Sequence, residues 1–134
     1  MKRPFNKLRT LLAVLLVGAV GILIVRRAFD HFYESTVTRR VSIDFQGLIR
    51  AVEAYRESTG AYPTTKEGLE ALVASPSPKP SNWRQIIKKI PIDAWGKLYR
   101  YRLVEHQGRE VPEIYSCGKD GIPETEDDLS SLGD

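Results

Sequence analysis

The sequence predicts an α+β fold in which one long N-terminal helix packs on a small antiparallel sheet, followed by an acidic C-terminal loop. Three observations carry that prediction. An uncharged run opens the chain, a helically spaced stripe of apolar residues follows it, and two alternating segments flank a turn further on. With 134 residues, there is room for one compact domain and one appended segment.

The uncharged run, Leu11 to Val25, reads LLAVLLVGAVGILIV and lies between Arg9-Thr10 and Arg26-Arg27. A membrane span takes about 20 apolar residues, so these fifteen need help from Leu8, the aliphatic stems of Arg26 and Arg27, and Ala28-Phe29. Two other readings are a cleaved signal peptide and a buried soluble helix. The first lacks a small-x-small cleavage pattern, because Arg-Arg-Ala-Phe-Asp follows the run. Residues 8–28 are therefore read as a membrane anchor. Four positive charges precede the run and two follow it, soon joined by Asp30 and Glu34, which predicts a cytoplasmic N-terminus. The expected division is 1–28, cytoplasmic tip and transmembrane helix, and 29–134, outer domain.

From Phe29 the apolar residues recur as Phe29, Tyr33, Val37, Val41, Phe45, Leu48, Val52 and Tyr55, in steps of three and four. No proline lies between Pro4 and Pro63, so one helix can run from about Leu8 to Ser58. Gly60 is placed to end it as a glycine just past the last turn. In the domain this helix is expected over 29–59. Thr64 and Glu67 form a capping-box pattern ahead of Leu69, Leu72 and Val73, predicting a short helix over 64–74. The proline-rich stretch from Ser75 to Pro80 breaks it and opens a loop over 75–96, in which Asn82 to Lys89 is expected to make a helical turn. Lys97 to Val104 and Val111 to Cys117 read as two strands around Gln107-Gly108-Arg109, and the sheet and acidic loop together occupy 97–130.

Charge limits the possible partners. The chain is formally +3, but residues 1–29 carry six bases and no acid, so residues 30–134 are net −3. Residues 110–134 hold eight acids against Lys119 alone, a surface that repels a phosphate backbone. Nucleic acid is therefore not an expected partner, despite Trp83, Tyr99, Tyr101 and Tyr115 lying near Lys88, Lys89, Arg100 and Arg102. Trp95-Gly96 reads as a core indole at a turn. Cys117 is the single cysteine; it ends a strand, while His106 lies in a hairpin turn and His31 near the membrane, so it reads as a small half-buried thiol rather than a nucleophile. No constellation supports an enzyme or a small-molecule substrate.

Four segments together resemble a known family. They are Arg40 to Tyr55; Tyr62-Pro-Thr-Thr-Lys-Glu-Gly-Leu-Glu-Ala-Leu72; Pro91-Ile-Asp-Ala-Trp-Gly96; and Ser116-Cys-Gly-Lys-Asp-Gly-Ile-Pro-Glu-Thr-Glu-Asp-Asp128. In this order they resemble the major pseudopilin of the type II secretion system, over about residues 35–130. The resemblance implies a type IV pilin-like fold and a single-pass inner-membrane protein with a periplasmic domain. It also implies a homo-oligomer, the helical pseudopilus, that works with other secretion-system components. A non-polymerising, membrane-anchored adaptor on the same fold is the alternative. The N-terminus departs from the family pattern: Phe5 stands where the family has a Gly before the peptidase cut, Thr10 where it has a Glu, and Arg27 where it has a Pro. These departures predict that the first residues are retained.

Asp120, Glu124, Glu126, Asp127 and Asp128 place five carboxylates within nine residues. Crowded like charges favour either full solvation or a cation, and the residues alone leave both open. The spacing is not that of an EF-hand. In the family this loop is a Ca²⁺ site, which implies Asp120, Asp127 and Asp128 as side-chain ligands. Thr125 would give a hydroxyl or carbonyl, and Cys117 and Ile122 backbone carbonyls.

Overall fold

The computed structural model describes residues 5–133. Its order is a helix α1 (Phe5–Thr59), a 3-10 helix (Gly68–Leu72), and strands β1 (Arg100–His106), β2 (Arg109–Ser116) and β3 (Leu129–Ser130). The strands form one antiparallel sheet in the order β1-β2-β3, so the class is α+β as expected. By internal contacts the chain separates into two compact units, Met1–Thr38 and Arg39–Asp134.

In the first unit α1 is uninterrupted through Arg27, where the prediction allowed no proline to break it. Its apolar side chains from Leu8 to Phe29 are exposed, and no other helix among the described residues is long and apolar enough to cross a membrane.

In the second unit α1 supplies one wall of the core. Val41, Phe45, Leu48, Val52 and Tyr55 are all buried, joined by Ala51, and they pack with Leu69, Leu72, Tyr99, Tyr101 and Ile114. These five stripe positions are among the eight that the three-four spacing picks out, because i, i+3 and i+4 share a helix face; in the first unit Phe29 and Tyr33 are exposed and Val37 half-buried. Phe45 and Tyr99 meet edge to face with centroids 5.5 Å apart. The Tyr99 hydroxyl donates to Asp44 at 2.8 Å and that of Tyr101 to the Pro63 carbonyl at 2.8 Å, so both rings are buried with their polar ends satisfied. Burial, assisted for Tyr99 by the neighbouring Asp44 carboxylate, pushes both phenols up.

The helix ends where expected. Gly60 takes φ +90° and its amide donates to the Arg56 carbonyl at 2.7 Å. The capping box also forms: the Thr64 amide and hydroxyl both reach Glu67 Oε2, and the Glu67 amide returns to Thr64 Oγ1 at 3.2 Å. The expected helix over 64–74 is nonetheless replaced by a turn and a five-residue 3-10 helix. Gly68 is the reason, because its φ of +61° leaves the right-handed helical path after one turn.

The helical turn expected over Asn82 to Lys89 is likewise absent. Trp83, Ile86, Ile87 and Ile90 have helical spacing, yet the Ile86 and Ile87 amides donate to the Leu72 carbonyl at 2.9 and 3.2 Å. The Trp83 indole donates to the Ala71 carbonyl at 2.8 Å. The segment thus satisfies the open carbonyls at the end of the 3-10 helix instead of its own.

The two expected strands are present with shifted bounds. They pair from Arg100↔Tyr115 to His106↔Arg109 around a two-residue turn in which both Gln107 and Gly108 have positive φ. β3 was not expected. Two residues long, it pairs Tyr115↔Ser130 and Ser116↔Leu129, and so brings the far end of the acidic loop back to the sheet.

Candidate metal centre

The acidic loop leaves the sheet at Ser116 and returns at Leu129, so β2 and β3 hold its two ends one strand spacing apart. Its entry is fixed by a buried network. Asp93 is only 1% exposed, and its Oδ1 accepts the amides of Trp95 and Lys97 at 2.9 and 2.8 Å. The Ser116 hydroxyl donates to Asp93 Oδ2 at 2.6 Å and accepts the Gly118 amide at 3.3 Å. Lys97 then reaches over the loop, its Nζ donating to the carbonyls of Lys119 at 2.9 Å and Gly118 at 3.4 Å. The Pro91 to Gly96 turn and the loop entry are therefore one hydrogen-bonded unit.

Gly118 sits at φ +58°, and a Cβ there would lie 2.3 Å from the Asp127 carbonyl oxygen. Only glycine permits that approach. It lets the Asp127 carboxylate reach the amides of Lys119 and Asp120 at 2.7 and 3.1 Å. Asp120 in turn accepts the Ile122 amide at 2.8 Å, and Asp128 the Glu124 amide at 2.7 Å. The Thr125 hydroxyl, aided by the Asp120 amide, holds the Asp127 carboxyl below its ordinary range.

Five of the six expected ligand residues come together here. The Thr125 hydroxyl lies 2.8 Å from Asp127 Oδ1, 3.0 Å from the Ile122 carbonyl, 3.3 Å from Asp128 Oδ1 and 3.5 Å from Asp120 Oδ1. The sixth, the Cys117 carbonyl, accepts the Gly121 amide at 2.9 Å, while its side chain is buried. One hydroxyl has one proton and satisfies one of those four oxygens at a time. Asp120 Oδ1 also accepts the Ile122 amide, the others left without the proton are open to water or a cation, and all are the hard oxygens that suit Ca²⁺. Among the described residues no three His, Cys, Asp or Glu side chains close on a common point, so the convergence is on Thr125 rather than on an empty centre.

Beside the loop, Arg102 on β1 pairs with Glu113 on β2 at 2.5 Å and stacks over the Tyr115 ring at 5.0 Å. Ser130 of β3 donates to the other Glu113 oxygen at 2.7 Å. Glu113 thus ties all three strands together. The roles of Asp93, Ser116, Lys97 and Gly118 escaped the sequence reading, although the segments that carry the resemblance include Asp93, Ser116 and Gly118. A turn aspartate, a strand serine and a surface-type lysine carry no spacing signal, whereas the Gly between Cys117 and Lys119 was a usable one.

The model for the type II secretion system (T2SS), protein G, family matches residues 30–133. The type II secretion system core protein G of Pseudomonas aeruginosa is 31% identical over 134 residues, covering 96% of this chain and 92% of that protein. Its namesake in Escherichia coli K12 is also 31% identical, covering 98% and 92%. Among solved structures, the major pseudopilin from the type 2 secretion system of enterohaemorrhagic Escherichia coli superposes with a TM-score of 0.67 at 35% identity, over 74% of this chain and 89% of that one. Matched along most of its length in sequence and in fold, this chain belongs to the type II secretion system protein G family, the major pseudopilins.

Proposed function

We propose that this chain is a structural subunit of a type II secretion pseudopilus, anchored in the inner membrane with its N-terminus cytoplasmic and its domain periplasmic. Copies assemble through the first part of α1 into a helical homopolymer that works with other secretion components. One observation carries the reading: α1 buries its stripe from Val41 to Tyr55, while Leu8 to Phe29 leave every large apolar side chain uncovered. A buried core with an uncovered apolar extension is a subunit awaiting lipid or further copies. Electron microscopy of cells overproducing the full chain should show fibres. Their absence, with the protein present in the membrane, points to the adaptor reading.

The loop is proposed as a Ca²⁺ site held by Asp120, Asp127 and Asp128 through carboxylates, Thr125 through its hydroxyl or carbonyl, and Cys117 and Ile122 through carbonyls. The crowding of four acceptor oxygens around the Thr125 hydroxyl supports this. An ion bound only by the folded loop stabilises by RT ln(1 + [L]/Kd), about 2.7 kcal/mol at a hundredfold excess over Kd. The fragment from Phe29 should melt several degrees lower in chelator, with Ca²⁺ restoring it better than Mg²⁺. An unchanged melting curve returns the loop to a solvated acidic turn.

A further inference from the structure

We propose that Phe29, Phe32 and Tyr33 form an aromatic collar that seats α1 in the outward-facing headgroup layer of the bilayer. This inference rests on the membrane anchor proposed above and adds its depth. The uncharged run is too short to define that depth alone, because Arg26 and Arg27 close it after fifteen residues. Counting from Arg9 instead, Phe29 lies twenty residues on, or about 30 Å along a helix, which matches the thickness of a hydrocarbon core. Phe29 then falls at the outer boundary, and Phe32 and Tyr33 lie about 5 and 6 Å beyond it, at headgroup level.

Three features of the unit support this depth. Phe29, Phe32 and Tyr33 are 67%, 70% and 52% exposed, and their spacing of three and four puts them on one face of α1. That face continues the apolar surface of Ile22 and Val25, whereas Arg27, Asp30 and Glu34 fall on a different side. One turn further, the hydroxyls of Ser35 and Thr36 both donate to the Phe32 carbonyl at 2.9 Å, so neither presents an unpaired donor to the layer. Arg26 and Arg27, within the boundary by about 3 to 5 Å, reach outward along their stems to lipid phosphates of opposite charge. Tyr33 is of the amphipathic type that sits at headgroup level, and Phe29 and Phe32 add apolar ring area beside it.

The test uses the full chain in vesicles of phosphatidylethanolamine and phosphatidylglycerol, with single cysteines read by a membrane-impermeant maleimide. Native Cys117 is 4% exposed, and the unsubstituted chain sets the background. Thr38→Cys should label and so report the outward-facing fraction, while Ala28→Cys and His31→Cys should be protected. Adding Phe29→Ser, Phe32→Ser and Tyr33→Ser together should expose Ala28→Cys. Labelling of His31→Cys as fast as Thr38→Cys overturns the collar. Protection that disappears on diluting the protein in lipid assigns the face to a second copy and also overturns it. Labelling of Val17→Cys shows that the span itself has failed, which removes the anchor and the collar together.

Discussion

Replacing Asp93 by Ala would disturb the domain and its loop at once. The carboxylate accepts three hydrogen bonds, from the Trp95 and Lys97 amides and from the Ser116 hydroxyl, and it is almost wholly buried. Ser116 is itself fully buried, so its hydroxyl loses a charged acceptor where water does not replace it, at a cost of about 1–3 kcal/mol. Trp95 and Lys97 are half-buried, and their amides recover part of their loss through water, leaving roughly 1 kcal/mol each. The sum is about 3–5 kcal/mol, and at 4–8 °C per kcal/mol the melting temperature of the fragment from Phe29 should fall by roughly 12–40 °C. Asp93→Asn keeps an oxygen for the two amides but turns an amide donor toward Ser116, so it should cost less than half as much. Thermal unfolding followed by circular dichroism, with urea unfolding as a check, measures both. A loss below about 1 kcal/mol for Asp93→Ala would refute the claim that this carboxylate organises the turn and the loop entry.

Glu113 makes the domain acid-sensitive. Burial alone would raise its pKa, but the hydrogen bonds from Arg102 and Ser130 outweigh it and hold the carboxyl below its ordinary value of 4.5. A depressed folded value means stability that is present above the unfolded pKa and lost as the pH falls through the folded one. Unfolding between pH 6 and about 3 should therefore steepen in the parent and flatten in Glu113→Gln; equal slopes would dismiss the pair as an acid sensor. At the other end, mass spectrometry of the protein recovered from membranes should find the first residues in place, because Phe5 replaces the expected Gly at the cut. The side chains of Phe5 and Asn6 lie outside the described residues, so this prediction rests on sequence. A mature chain starting at Asn6 would reverse it.

Elements with a periodic signal were legible in the sequence. The stripe from Val41 to Tyr55 could be read because a helix buries every third or fourth residue, and the β1-β2 pair because Tyr99 and Tyr101 alternate ahead of a turn that needs positive φ. Periodicity misled where a partner outbid local structure. Asn82 to Lys89 carries helical spacing but gives its amides to Leu72, and Thr64 to Ala74 carries a true capping box but is bent by Gly68. β3 had no signal, since two residues cannot show alternation. In the candidate site the carboxylates were legible as a charge cluster and their roles came from family resemblance. The Asp93-Ser116-Gly118 network was not legible, because it joins positions 23 residues apart through single hydrogen bonds.

The pairing of α1 with the sheet also sets an order of events during synthesis. Asp44 waits for Tyr99, its hydrogen-bond partner 55 residues later, and the stripe around it waits for Ile114. At about 5–20 residues per second the ribosome leaves that interval open for several seconds. Throughout it, the stripe can meet only Leu69 and Leu72 of its larger core partners, and the apolar segment from Leu8 to Phe29 precedes it along the chain. A nascent chain in that state is a ready substrate for whatever shields hydrophobic helices. The interval closes only when β2 arrives, so lengthening the exposed stretch from Ser77 to Lys79, ahead of the core-packed Trp83 to Trp95, would prolong the exposure.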